Sequence, residues 1–326
     1  MIDLGALAKI TKAFKVIDND KSTNRLSHAY LIVCQDAENL EGYMRYFAKQ
    51  LLCSESVPCE SCRHCSLINS NAHQDVFFYP TSEKGILTED INAIISESYV
   101  RPIESEKKVF VLSNAQTMNA VTQNKLLKTL EEPPKNVYIL IGTTSEQAIL
   151  PTVKSRVKKV EISPFSKTVL INALIDQCKD REKLENAVAC SDGTLGKTLA
   201  LYQDQNLKNV IDLGIEILTK MQSSKDVLEY STKIIKNKTD LDQFFDVLDM
   251  LLRDTLVKEC GDQSLITNPN ALNQLQNANF KNGALISIIS AVTDARKRKQ
   301  FNANQNMLIE WLLFKILEEK FRWQKL

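Results

Sequence analysis

Short apolar runs alternate with segments of helical period through the first half of the chain. The runs are Ala29 to Val33, Val76 to Tyr79, Val109 to Leu112, Val137 to Ile141 and Lys159 to Ile162. That alternation predicts a mostly parallel sheet covered by helices. After Ser163-Pro164-Phe165 the strand signals stop, and the remainder reads as helix and loop. A small unit from about Ser166 to Tyr202 ends near Gly193 and Gly196, which permit a sharp turn between helices. From Asn209 onward longer amphipathic helices follow, with breaks at Gly261-Asp262-Gln263-Ser264 and Asn268-Pro269-Asn270. The last helix carries Trp311, Leu312, Phe314, Ile316 and Leu317, apolar around much of its circumference. Such a helix suits burial in a bundle or against other subunits. The expected division is an α/β domain over 1–163, a small helical domain over 164–207 and a C-terminal all-helical domain over 208–326.

The stretch from Val109 to Val157 reads like the switch half of an ATP-driven motor without its acids. In an ATPase the strand Val109-Phe110-Val111-Leu112 would end in two acidic residues that hold magnesium and activate water. Here it ends in Ser113-Asn114-Ala115-Gln116. A helix follows with Met118, Val121, Leu126, Leu127 and Leu130 on a stripe, and Glu131-Glu132-Pro133-Pro134 stops it. The next strand, Val137 to Ile141, leads to Gly142-Thr143-Thr144, and Ser155-Arg156 comes soon after.

The first strand shows a matching loss. A phosphate-binding loop needs backbone amides that approach closely and a Lys at the start of its helix. The residues after Ala29-Tyr30-Leu31-Ile32-Val33 are Cys34-Gln35-Asp36-Ala37-Glu38-Asn39-Leu40-Glu41, with no glycine and with Leu40 in the lysine's place. Asp36, Glu38 and Glu41 would repel a triphosphate, although acids are favourable at a helix N-terminus. A second glycine-lysine string, Gly193-Thr194-Leu195-Gly196-Lys197-Thr198, has two residues between its glycines instead of four and follows a helical segment. It reads as a turn between helices.

Composition narrows the class. Over 326 residues, 25% charged, 44% hydrophobic and a net charge of +1 describe an ordinary folded chain of two or three domains. There is no global pull toward nucleic acid or membrane, so any such contact needs a local patch. The longest late apolar run, Met307 to Phe314, contains Glu310 and falls far short of the roughly 20 residues of a bilayer span. The opening residues, Met1 to Leu7, lack the basic and apolar regions of a secretory signal, so a cytoplasmic location is expected.

Of eight cysteines, Cys53, Cys59, Cys62 and Cys65 crowd into one segment. In a chain of this kind crowding points to metal before disulfides. Four thiolates can close tetrahedrally around zinc, and four protein ligands leave no open position, so the site would be structural. The competing readings are a C-x-x-C redox pair or free cysteines near His64, with His64 and His73 as substitutes for one ligand. Arg156 also has two readings: a surface ion pair, or an arginine finger offered to a neighbouring subunit's ATP. For the basic run Arg296-Lys297-Arg298-Lys299 they are a solvated helix face, or a patch touching phosphates or an acidic partner.

Taken together these residues resemble the delta-prime family of bacterial DNA polymerase III clamp-loader subunits, within the AAA+ superfamily. The resemblance covers most of the chain. It is most specific at Ser27-His28-Ala29-Tyr30-Leu31, the cysteine cluster, Leu126-Leu127-Lys128-Thr129-Leu130-Glu131-Glu132-Pro133-Pro134 and Leu150-Pro151-Thr152-Val153-Lys154-Ser155-Arg156. It implies an AAA+ α/β domain with a zinc module at 53–65, a helical lid and a C-terminal collar domain. It further implies a non-hydrolysing stator that helps load the sliding clamp onto primed DNA and is not an enzyme on its own. The DNA polymerase activity of the holoenzyme would reside in other subunits. Its partners would be motor subunits of the tau or gamma type and the delta subunit, with the clamp and primed DNA reached through the complex. Structural zinc would be its cofactor, with no ATP bound in cis. In the family a Ser-Arg-Cys motif sends its arginine into the adjacent motor subunit's ATP site. Here it reads Ser155-Arg156-Val157, with Arg156 acting in trans and Ser155 supporting it. Thr143-Thr144 match the family's sensor position, and Gly196-Lys197 fall near its second sensor region. The rival readings are an active AAA+ ATPase and a zinc-dependent nucleic-acid-binding regulator.

Overall fold

The computed structural model describes residues 4–83, 85–261, 265–275 and 280–322. The chain forms two compact units, Met1–Phe165 with Thr194–Gly196, and Ser166–Gly193 with Lys197–Leu326.

The first unit begins with α1 (Leu4–Ile10) and α2 (Lys12–Ser22), the second capped by the Thr11 hydroxyl, which accepts the Phe14 N–H. β1 (Ala29–Cys34) then leads to α3 (Leu40–Leu52), and the short α4 (Arg63–Asn69) precedes β2 (Val76–Tyr79). α5 (Thr88–Ser98), β3 (Lys108–Leu112), α6 (Ala120–Glu131), β4 (Val137–Thr143), α7 (Pro151–Lys154) and β5 (Lys158–Ile162) follow. All pairings are parallel, in the order β2-β3-β4-β1-β5. Leu31 lies opposite Ile141, and Phe110 opposite Ile139. A parallel sheet covered on both faces needs strands without a wet side, and every residue of β3 is buried. The C-terminal ends of β1, β3 and β4 therefore open on the same edge, where open α/β sheets place their ligands.

The helical stripe expected after β3 holds at Met118, Leu126, Leu127 and Leu130, which lie in or against the core, and fails at Val121. Leu126 and Leu130 are buried, but Val121 is 63% exposed and the polar Thr122, Gln123 and Thr129 take inward positions. The cause is local polar chemistry. Asn119 caps α6 by accepting the Thr122 N–H, and the Gln123 amide donates to the Met118 and Ala148 carbonyls while its oxygen accepts the Leu150 N–H. Gln123 thus ties α6 to the segment that enters α7.

The second unit is all helical: α8 (Lys167–Leu174), α9 (Arg181–Cys190), most of α10 (Leu195–Gln203), α11 (Leu207–Lys220), α12 (Ser224–Lys236), α13 (Leu241–Glu259), α14 (Pro269–Gln274), α15 (Asn282–Gln300) and α16 (Gln305–Arg322). Its core gathers Phe244, Phe245, Leu248, Ile288, Val292, Leu312 and Ile316, all fully buried, each worth roughly 1.5–3 kcal/mol of transfer free energy. The turn at Gly193, with φ of 83°, separates α9 from α10 as the glycine spacing predicts. Asn268 caps α14 at the expected break, whereas residues 262–264 of the other break lie outside the described residues. Among the described residues no helix is long and apolar enough to cross a membrane.

Candidate functional site

Three places on the first unit carry the residues singled out by sequence. The clearest is the cysteine cluster. Cys53 ends α3 and Cys62 caps α4, and the four Sγ atoms of Cys53, Cys59, Cys62 and Cys65 lie within 4.8 Å of one another. A tetrahedron of thiolates on zinc sets sulfurs about 3.8 Å apart, so the donor set fits that ion. The turn between the second and third cysteines requires Glu60 in the left-handed region, φ 57°, and its carboxylate is held by Lys49 at 2.6 Å. Cys59 Sγ accepts the Cys62 N–H at 3.3 Å, and Cys62 Sγ accepts the Cys65 N–H at 3.4 Å. The N–H groups of Ser61 and Cys62 bring the Cys59 thiol down to about 6, whereas burial raises Cys53 and Cys65.

The two histidines are not among this set. His73 Nδ1 accepts the Asp75 N–H, so its Nε2 carries the proton and donates to His64 Nδ1 at 3.0 Å. Burial lowers the His73 pKa, which favours its neutral form. Beside them Asp75, fully buried, accepts the N–H groups of Ile103, Glu104 and Ser105 at 2.7–2.8 Å. Burial pushes its pKa up, but the three donors outweigh it and the net shift is downward. Because the folded pKa lies below the unfolded one, Asp75 contributes stability at neutral pH that is lost as pH falls below the ordinary value near 3.8. Asp75→Asn removes that component. Urea midpoints measured against pH are expected to fall more steeply in acid for the wild type than for the variant, and parallel curves would contradict this origin.

The second place is the open edge of the sheet. Leu40, at the position of a phosphate-loop lysine, is fully buried. The loop before it is closed by Asp36, whose Oδ2 accepts the N–H groups of Leu195 and Gly196 at 3.1 and 3.2 Å. At the end of β3, Ser113 is buried and Asn114 adopts φ 63°. Gln116 reaches across to β4, where its oxygen accepts from the Thr143 hydroxyl at 3.3 Å and the Thr144 N–H at 3.2 Å. The Thr143 hydroxyl and the Thr144 N–H therefore share the Gln116 amide oxygen.

The third place holds Ser155 and Arg156, just past α7. The Arg156 guanidinium meets Glu131 through Nε at 2.8 Å and Nη2 at 2.6 Å, and its Nη1 donates to the Thr152 carbonyl and the Ser155 hydroxyl. It lines a shallow depression with Ser27, His28 and Leu130. Sequence reading placed Glu131 in a motif but missed its pairing with Arg156, which no local spacing announces.

On the second unit the basic run is largely committed. Arg296 pairs with Asp246 and Asp249, Lys299 with Asp242 at 2.5 Å, and Arg298 stacks over Trp311 at 4.2 Å. Lys197 of the glycine-lysine string pairs with Asp246 at 2.8 Å. These contacts favour the structural reading of both features.

Comparison with known proteins agrees with the motifs. Residues 9–166 match the family described as DNA polymerase III, delta subunit. The chain is 25% identical to the DNA polymerase III delta' subunit of Bacillus subtilis, over 94% of this chain and 96% of that one. It is 26% identical to the DNA polymerase III gamma subunit of Buchnera aphidicola, over 94% and 92%. A gamma-subunit-related protein of Thermotoga maritima superposes with a TM-score of 0.47 at 17% identity, over 95% of this chain and 100% of that one. The chain has a parallel five-stranded sheet with flanking helices and a helical C-terminal region, and it is similar to DNA polymerase III subunits of the delta-prime and gamma kinds. Within that class it is a relative of the delta-prime subunits of DNA polymerase III over nearly its whole length.

Proposed function

We propose that this chain is a non-hydrolysing stator of a clamp loader, acting with motor subunits and a delta subunit to load a sliding clamp onto primed DNA. The observation that carries this reading is the simultaneous loss of both halves of a nucleotide site. Buried Leu40 stands where a lysine would meet phosphate, and Ser113 and Asn114 stand at the strand end where acids would hold magnesium. Three acidic residues, Asp36, Glu38 and Glu41, surround the loop. A triphosphate there would meet negative charge with no lysine to offset it.

In this reading Arg156 is lent to the ATP of a neighbouring motor subunit, with Ser155 supporting its orientation. Zinc held by Cys53, Cys59, Cys62 and Cys65 is structural. Residues 164–207 serve as the lid, and 208–326 join the collar. Titration of the purified chain with ATP and magnesium is expected to give no binding below millimolar concentration, and mixing with motor and delta subunits is expected to give a stable complex. Micromolar ATP affinity, or failure to enter that complex, would overturn the reading.

A further inference from the structure

The turn between α15 and α16 carries large apolar side chains that neither helix buries. Phe301 is 85% exposed and Met307 70% exposed. The turn itself is fixed at both ends. Asn302 takes the left-handed region, φ 58°, while the Asn302 N–H donates to the Lys299 carbonyl at 3.0 Å and the Ala303 N–H to the Arg298 carbonyl at 3.2 Å. These two bonds together close the C-terminus of α15. Asn304 Oδ1 then accepts the N–H groups of Asn306 and Met307 at 3.0 and 3.2 Å and caps α16. Phe301 therefore stands out from an ordered turn.

A single exposed apolar side chain is ordinary, so the surroundings of this one decide its meaning. From Ala295 to Ile309 the chain has four cations, five side-chain amides and no carboxylate. Arg296 and Lys299 are held by Asp246, Asp249 and Asp242, but Lys297 and Arg298 remain exposed. Lys297 comes no closer than 4.0 Å to Asp294, and the Arg298 guanidinium lies 4.2 Å over the Trp311 ring, with no ion pair among the described residues. A guanidinium stacked in this way gives up little freedom when its N–H groups meet an anion. Phe301 follows Lys297 by four positions and Arg298 by three, so the three share one face of the last turn.

Cations that meet phosphates, a ring free to stack on an unpaired base and amides that match base edges are together the chemistry of single-stranded nucleic-acid contact. A duplex keeps its bases stacked and offers the ring nothing, and an acidic peptide would engage the cations alone. We propose that the α15–α16 turn is a docking surface for single-stranded nucleic acid, with Lys297 and Arg298 on phosphates and Phe301 stacked on a base. The surface lies within the second unit, so neither the cysteine cluster nor Arg156 takes part in it. It goes beyond the stator reading, which rests on the open sheet edge of the first unit.

The test measures fluorescence anisotropy of labelled oligothymidylate and oligouridylate, each about 15 nucleotides long, with the full chain at about 50 mM salt. Wild type is expected to bind with Kd on the order of 10⁻⁴–10⁻⁶ M, and the tighter oligonucleotide identifies the sugar. Phe301→Ala should weaken binding about fivefold or more while Phe301→Trp keeps it, and both chains should melt with wild type because the ring is exposed. Replacing Lys297 and Arg298 together by Ala should flatten the dependence of log K on log salt by about 1.4, since each phosphate contact on a single strand contributes about 0.7. Lys236→Ala, an exposed lysine of α12, should bind as wild type does. No binding by wild type, equal affinity for a blunt duplex, displacement by oligoglutamate of equal charge, or a Phe301→Ala chain that binds like wild type overturns the proposal. A chain that fails in this way yet joins motor and delta subunits removes this inference and leaves the stator reading intact.

Discussion

Arg156→Ala is expected to lower ATP turnover of the assembled complex by about 10³-fold or more, the usual effect of losing an arginine finger. That is about 4 kcal/mol of transition-state stabilisation. The fold itself should hardly notice. The Arg156–Glu131 pair is partly exposed on both sides, 34% and 49%, and such pairs contribute about 0–1 kcal/mol. The same magnitude decides whether the arginine is available. A guanidinium fork on a phosphate is worth more than a solvated ion pair, so Glu131 can hold Arg156 in the free chain and yield it at an interface. Arg156→Lys supplies charge without the planar fork and should recover little of the loss. The decisive measurement is kcat of complexes containing each variant, alongside the melting temperature of the variant chain. A kcat within about tenfold of wild type would sink the trans role. Val157, partly buried, packs against the core beside the sheet.

What the chain disclosed in advance was its burial pattern. Strands β1, β3 and β4 are buried almost throughout while β5 exposes Lys158, Lys159 and Glu161, and each expected run became a strand within one residue of its expected start. β5 begins one residue early because Lys158 is ordered by Asp20 at 2.6 Å, a partner 138 residues away. Four cysteines at metal spacing were equally legible, since short loops bring near neighbours together. Polar pairing at long range was not. Asp36 reads as one of three acids on a helix start, and only the fold brings it to amides 159 residues further on. The cationic run at Arg296 looks free until Asp246, Asp249 and Asp242 come into place. Val121 lies outside and Gln123 inside because a buried amide with three backbone partners outweighs one more aliphatic contact. Periodicity records how much of each face is buried and carries no record of which distant group a polar side chain will meet.

Loss of the metal ligands is expected to be the most damaging local change in the first unit. Between Cys53 and Asn69 the buried residues are Cys53, Pro58, Cys65 and Ile68, and α4 is seven residues long. A helix that short has no independent stability, and this segment has little apolar surface with which to hold it. Four thiolates closing on zinc would supply what packing does not; in small zinc domains the ion contributes roughly 10–16 kcal/mol of apparent folding free energy. Here the segment is tethered to a folded sheet, so a smaller, local loss is expected. Wild type purified without chelator should hold about one zinc per chain. Cys62→Ser should hold less than about half, melt about 10 °C lower, and be cleaved by protease between Cys53 and Asn69. Zinc should also leave as pH falls, because protons compete for the thiolates. His64→Ala is the control, since His64 is engaged by His73 and not by the cluster, and its zinc content should equal that of wild type. A wild type with less than about half a zinc, or a Cys62→Ser chain that melts with wild type, would remove the metal from this segment and leave its order to the Lys49–Glu60 pair and the Lys21 contacts to the Cys53 and Glu55 carbonyls. Those few polar contacts at a half-exposed surface amount to about 1–3 kcal/mol together, too little to fix four thiols in one place against their chain entropy.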